Sequence, residues 1–201
     1  IVILGDGRLG QLVARVFRAR GLSPTVIGRV PAKLDLVRRL GLMAVGAEDA
    51  EKALQTRDVP RPVSPGRVPR TAGQDPPWHK AGAGDRPEAA QGSGKTADVV
   101  VEATGTADGL AMALGFVRPR GTIVLKSTVA DTAGLDLAPL VVDEVTVVGS
   151  RCGPMDEAMA MLAEADLDLE PLITAEYPLT EADAAVRAAA DPEAIKVLIR
   201  P

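Results

Sequence analysis

The sequence predicts an α/β fold: a doubly wound parallel sheet of six strands, followed by a C-terminal segment for which that sheet has no room. Three observations predict it. Short apolar runs rich in β-branched residues alternate with segments of helical periodicity from Ile1 to Gly149. Those runs are apolar throughout rather than alternating, as strands covered on both faces are. The first of them, Ile1–Leu4, leads straight into Gly5-Asp6-Gly7-Arg8-Leu9-Gly10, a glycine turn that opens a helix.

In that turn Gly5 permits the tight bend, Gly7 leaves the backbone free to approach a pyrophosphate, and Gly10 lets the helix pack closely on its strand. Leu12, Val13, Val16 and Phe17 carry the helix to Arg20-Gly21. The free N–H groups of its first turn, at the positive end of the helix dipole, suit phosphate. Strand, turn and helix together make a dinucleotide-binding unit of the Rossmann kind.

Residues 23–28 read as the second strand. Pro31 then starts a helix with Leu34, Leu36, Val37 and Leu40 as its apolar positions, and Gly41 stops it. Residues 42–45 make a third strand. Residues 47–54, with Glu48, Asp49 and Glu51 near their start, read as a helix carrying acid in its first turn.

The composition then changes. Residues 55–96 hold Pro60, Pro62, Pro65, Pro69, Pro76, Pro77 and Pro87 among many Gly and Arg, with almost no periodic apolar residues. Such a stretch buries too little surface to offset its ordering entropy, so a disordered or loosely packed insertion is expected there. It contains the only Trp78 and the only His79. It reads as a tolerated surface insertion, a lid or docking arm, or an out-of-frame translation of GC-rich DNA. Near its end, Gly92-Ser93-Gly94-Lys95-Thr96 imitates a phosphate-binding P-loop, but Ala89 stands where that pattern needs Gly, and the run precedes a strand instead of following one. That reading is rejected.

Regular structure resumes with the strand 97–102 and its extension Ala103-Thr104-Gly105. A helix follows through Leu110, Met112, Ala113, Leu114 and Val117, closed by Arg118-Pro119-Arg120-Gly121. Residues 122–125 form the fifth strand. After a short apolar segment at 137–142, residues 144–149 form the sixth. The glycine turn after the first strand makes 3-2-1-4-5-6 the expected strand order. The organisation is thus a dinucleotide-binding domain over 1–151, interrupted at about 55–96, and a separate segment over 152–201. In that segment residues 155–165 read as a helix and 171–174 and 177–179 as extended pieces. Residues 181–190 read as a helix capped by Thr180, and 194–199 as a final strand.

Bulk properties narrow the partners. A formal charge of −4 gives no reason to expect nucleic acid or an anionic membrane surface. No apolar run approaches the ~20 residues needed to span a bilayer, and the single Cys152 excludes an internal disulfide framework, which fits a reducing cytoplasm. The chain opens without Met inside a core strand, which reads as a piece of something longer.

These landmarks together resemble the medium-chain dehydrogenase/reductase family, the zinc-type alcohol dehydrogenases. The most specific pieces are the Gly5–Gly10 turn, Val100-Val101-Glu102-Ala103-Thr104-Gly105, Val148-Gly149-Ser150, and the tail from Pro171 through Tyr177-Pro178-Leu179 to Lys196-Val197-Leu198. The resemblance implies that 152–201 returns to a catalytic domain lying mostly N-terminal to this chain, where the catalytic zinc is expected. One Cys and one distant His supply no zinc site here, so no catalytic and no metal-binding residue is expected in this chain. It further implies that Gly7, Arg8 and Leu9 meet the pyrophosphate and that Ala103, Thr104 and Gly105 pass along the cofactor. Leu125, Lys126, Ser127, Ser150 and Cys152 would border the nicotinamide, and Lys196 would lie near the phosphates.

At the end of the second strand, NAD-preferring members carry an acid that reads the ribose 2′-hydroxyl. Gly28 stands there, with Arg29 and Lys33 following, an arrangement that accommodates the 2′-phosphate of NADP. The implied protein is therefore an NADP-preferring (or NAD-using) alcohol or polyol dehydrogenase, acting on a small alcohol or carbonyl and homo-oligomeric at full length. A zinc-free quinone or enoyl reductase of the same family and a non-catalytic nucleotide-sensing module are the alternatives.

Overall fold

The computed structural model describes residues 1–50, 52, 95–129 and 136–201. Nearly all of the 55–96 segment, Trp78 and His79 included, lies outside them.

Six parallel strands form one sheet: β1 (Val2–Leu4), β2 (Thr25–Gly28), β3 (Met43–Gly46), β4 (Ala97–Glu102), β5 (Val117–Leu125) and β6 (Thr146–Gly149). Their order is β3-β2-β1-β4-β5-β6, as expected. The two-residue period of a strand explains how one short run serves two cores. Val2 and Leu4 of β1 point to a cluster with Ile27, Val100, Ala113, Leu114, Phe116 and Ile123. Ile3 between them points to the opposite face, with Ala14, Val26, Leu34, Val37 and Val101. Helices α1 (Arg8–Ala19) and α2 (Pro31–Arg39) cover the second face, and α3 (Gly109–Phe116) covers the first.

Several boundaries differ from the expectation. Residues 118–121 do not simply close the preceding helix. They are built into β5, whose pairing jumps from Ala97↔Val117 to Val99↔Thr122 across an irregularity, with Arg120 in the left-handed region at φ 59°. Burying Val117 completely, as a strand residue opposite Ala97, is what draws the segment in. Residues 47–49 form a turn, and the helix begins only at Ala50; of residues 51–54 only Lys52 is among the described ones. Lys95, the lysine of the P-loop imitation, makes an ion pair with Asp143 at 2.5 Å.

After β6, a short α4 (Ala138–Val142) having preceded it, the chain makes α5 (Met155–Glu164), β7 (Ile173–Pro178), α6 (Ala182–Ala189) and β8 (Lys196–Arg200). Strands β7 and β8 pair in parallel as a sheet of their own, with α6 as the crossover that parallel neighbours require. Pro171-Leu172 lies in a 3₁₀ turn rather than an extended piece, since Pro171 fits the first turn of such a helix. Thr180 is not the cap of α6. It lies inside a 3₁₀ turn (Leu179–Glu181), and the flanking residue is Glu181.

Candidate functional site

The C-terminal ends of β1, β2 and β4 meet at the point where the strand order reverses, and a crevice opens there. Its cavity, about 270 Å³, is lined by Gly5, Asp6, Gly7, Gly28, Arg29, Val30, Lys33, Thr104 and Thr106, with Leu4, Ile27, Ala47 and Met112 as its apolar wall. The structure thus brings together the residues singled out near the glycine turn, the end of β2 and the loop after β4.

The three turn glycines answer to different constraints. Gly5 sits at φ +111°, and a Cβ there would lie 2.5 Å from the Ala103 carbonyl oxygen, so glycine is required on both counts. A Cβ on Gly10 would overlap the Gly5 carbonyl. Gly7, which precedes α1, has an ordinary φ of −71° and would place a Cβ in open space. Among the described residues nothing crowds position 7, so the approach to the first turn of α1 is open.

Asp6, not anticipated as a functional residue, defines the far wall. Its Oδ2 accepts hydrogen bonds from the backbone N–H groups of Arg29 at 2.8 Å and Val30 at 2.7 Å. The carboxylate therefore sits at the end of β2, beside Gly28. The acid missing from position 28 is not missing from the crevice. Arg29 extends outward and its guanidinium donates to Asp108 Oδ2 at 3.3 Å, both side chains being well exposed. Hydrogen bonding from the Thr106 side chain, then from its own backbone, holds the Asp108 carboxyl below its ordinary value, with Arg29 adding to the effect. Lys33 is largely buried and makes no ion pair among the described residues. It also reaches a second cavity of about 450 Å³ between α2 and the tail, which touches none of the glycine-turn residues.

On the β4 side the organiser is Glu102, 1% exposed. Its Oε1 accepts from Thr104 N (2.8 Å), Thr104 Oγ1 (2.6 Å) and Ser127 Oγ (2.9 Å), while Oε2 has no partner among the described residues. Ser127 Oγ in turn accepts from Gly105 N at 2.8 Å. One buried carboxylate thereby ties the loop after β4 to the loop after β5. An acid ending an otherwise apolar strand was the available signal for it. Lys126 Nζ donates to Ser150 O and Oγ, both at 3.1 Å, and so joins Leu125 at the end of β5 to the end of β6. Ala103 is drawn in by its N–H bond to Leu4 O.

Other predicted residues are placed less centrally. The Arg8 guanidinium donates to the Ile195 carbonyl at 3.1 Å, so its side chain anchors the tail while its backbone opens α1. That bond brings Lys196, an exposed residue, to the neighbourhood of the glycine turn. Leu9 is exposed in the first turn of α1, and Cys152 is exposed just beyond β6. Among the described residues no group of three or more His, Cys, Asp or Glu could hold a metal ion.

Strand order, glycine turn and crevice define a Rossmann α/β unit. A family model described as zinc-binding dehydrogenase matches residues 9–166, and the chain belongs to that family. It is 27% identical to the sorbitol dehydrogenase of Halalkalibacterium halodurans, over 100% of this chain and 51% of that protein. Among solved structures it resembles the alcohol dehydrogenase TADH of Thermus sp. ATN1, with a TM-score of 0.72 at 22% identity, covering 99% of this chain and 50% of that one. It also resembles a zinc-binding dehydrogenase from Sinorhizobium meliloti 1021 bound to NADP, with a TM-score of 0.68 at 21% identity, covering 100% and 52%. The chain spans about half the length of each of these proteins.

Proposed function

We propose that this chain is the cofactor-binding portion of an alcohol or polyol dehydrogenase. The observation that carries the reading is Gly7, which leaves open space at the N-terminus of α1 and on the wall of the crevice. A dinucleotide pyrophosphate would lie against the N–H groups of Gly7, Arg8 and Leu9, where the helix end favours negative charge. Thr104 and Gly105, fixed by Glu102 and Ser127, would border the cofactor along β4. Leu125, Lys126, Ser127, Ser150 and Cys152 would face the nicotinamide, with Lys126 and Ser150 holding two strand ends together. When bound, the nicotinamide supplies the hydride acceptor for oxidation of a carbinol carbon. Residues 152–201 are read as the return segment of the catalytic domain, in which zinc belongs. Gly28, Arg29 and Lys33 are read as the surroundings of an NADP 2′-phosphate. A cytoplasmic site follows the reading of the lone Cys152.

Titrating the chain with NADPH and with NADH, followed by nicotinamide fluorescence, tests the proposal. Saturable binding is expected for both, with Arg29→Ala weakening NADPH by about tenfold, the value of one charge-assisted hydrogen bond, and leaving NADH nearly unchanged. Absence of binding to either would overturn it.

The full-length protein is proposed to be a homo-oligomer through the β6 edge. All four residues of β6 are exposed, and Leu137, Val141 and Val142 beside it stand 55%, 78% and 79% exposed. An edge strand that pairs only with β5 among the described residues, with apolar neighbours, is suited to pairing with its own symmetry copy. Val148→Lys is expected to shift the species seen by light scattering toward the monomer. An unchanged mass would remove this face from consideration. No helix among the described residues is long and apolar enough to cross a membrane.

A further inference from the structure

We propose that Asp6, reaching over from the glycine turn, is the residue that reads the 2′ position of the adenosine ribose, in opposition to Arg29 and Lys33. The inference rests on the dinucleotide reading above and names the residue that sets its selectivity. Two independent features of the geometry carry it.

The first is where the carboxylate lies. Asp6 Oδ2 accepts from Arg29 N at 2.8 Å and Val30 N at 2.7 Å, which pins it at the mouth of β2 and the start of α2. The second is what it displaces. A Cβ built on Gly28 would overlap Cβ, Cγ and Oδ2 of Asp6. The side chain of residue 6 therefore fills the volume that a side chain on residue 28 would need. Glycine at 28 and aspartate at 6 are one arrangement, not two. A side chain on residue 28 would have to displace that of Asp6, so the carboxylate in the crevice is supplied here by the turn and not by the strand.

The chemistry follows from the atoms left over. Oδ2 is occupied by two backbone donors, and no hydrogen bond to Oδ1 is present among the described residues. A ribose hydroxyl brought into the crevice would donate to that oxygen. A 2′-phosphate, carrying about −1.5 to −2 charge at neutral pH, would instead meet a fixed negative charge. Arg29 counters this only in part, because its guanidinium is shared with Asp108. The preference between the two cofactors is thus a balance, in which Arg29 and Lys33 draw the phosphate in and Asp6 pushes it out. Position 28 on its own decides nothing.

The test is Asp6→Asn in the full chain, with NADPH and NADH affinities measured by the same fluorescence titration and circular dichroism as the check on folding. Asparagine keeps an oxygen for Arg29 N and Val30 N but removes the charge. The ratio of NADPH to NADH affinity is expected to rise at least tenfold, through tighter NADPH and weaker NADH. An unchanged ratio in a folded variant, or equal weakening of both, overturns the proposal. If Asp6→Asn does not fold, the comparison is Asp6→Ser against the unmodified chain, with the same check on folding. A ratio at least tenfold higher in the variant supports the inference, and an equal ratio overturns it. Failure of the unmodified chain to bind either cofactor overturns the dinucleotide reading and this inference with it, whereas binding with an immovable ratio removes Asp6 alone.

Discussion

Gly10→Ala is expected to unfold the sheet domain, while Gly7→Ala, three residues earlier in the same turn, is expected to leave it folded but to weaken its hold on a dinucleotide. The difference lies in what each added methyl meets. At position 10 it would overlap the carbonyl oxygen of Gly5 and lie 2.9 Å from the carbonyl carbon. These are backbone atoms of a turn that is itself held, by the Gly5 N–H bond to Ile27 O at 2.8 Å, so relief requires moving α1 off β1. Ile3, Leu4 and Ala14, all fully buried, lose their packing in that movement. A cost of about 4 kcal/mol or more is expected, comparable to the whole stability of a marginal domain. At position 7 the methyl meets nothing, and φ −71°, ψ −175° suits any residue. Exchange of glycine for alanine just before a helix costs about 1 kcal/mol or less. On the proposed reading the methyl would nevertheless stand where a pyrophosphate approaches the backbone, and an affinity loss of at least about tenfold is expected, or 1.4 kcal/mol. Thermal melts and nicotinamide titrations of the two variants separate the effects. A stable Gly10→Ala would contradict the packing argument, and a Gly7→Ala that binds normally would contradict the site.

Arg15→Ala is expected to cost about 3 kcal/mol and to loosen the tail. Arg15 is a charged residue only 1% exposed, near the middle of α1. Its Nε donates to the Asp168 carbonyl at 3.0 Å, and its Nη1 to Gln11 Oε1 at 2.7 Å and Gln11 O at 3.3 Å. Gln11, fully buried, passes the connection on by donating to Lys33 O at 2.7 Å. Burial lowers the guanidinium pKa, and the Asp168 charge works against that shift. Truncation would strand two buried acceptors and leave a cavity; hydrogen bonds to a charged group contribute about 1.5–3 kcal/mol each, with partial relaxation offsetting the sum. For a chain of this size 3 kcal/mol corresponds to a fall in Tm of about 6–12 °C. Hydrogen exchange in β8 should accelerate, since Arg8 would then be left as the bond from α1 to the tail. Arg15→Ala with an unchanged Tm would show that the network contributes nothing.

Gln11 and Arg15 mark the limit of what the sequence makes legible. The glycine turn, the strand order and the apolar runs are local patterns, and the sheet follows from them. Helix α1 is where local pattern misleads. Leu12, Val13, Val16 and Phe17 predict its buried stripe, but they are only partly buried, while Gln11, Ala14 and Arg15 are inside. Periodicity cannot show that a second layer, the tail around Asp168 and Ile195, closes over the polar side of a helix. The buried Arg15 takes part of its support from Gln11 one turn away and the rest from Asp168, 153 residues on, which no local pattern foretells.

The candidate site divides the same way. By itself the sequence determined the six-stranded doubly wound sheet and the turn that opens α1, because strand burial and glycine geometry depend on neighbours within a few residues. The same holds for the residues at the ends of β4, β5 and β6, which strand periodicity delivers to one edge of the sheet. The tertiary structure decided which charges meet there. Asp6 and Gly28 are 22 positions apart, and their exchange of one volume is invisible until β1 and β2 lie side by side. Glu102 and Ser127 join two loops only because β4 and β5 end at the same level. Electrostatics and exclusion act through space over a few ångströms, and it is the pairing of strands that brings residues distant in the chain within that range.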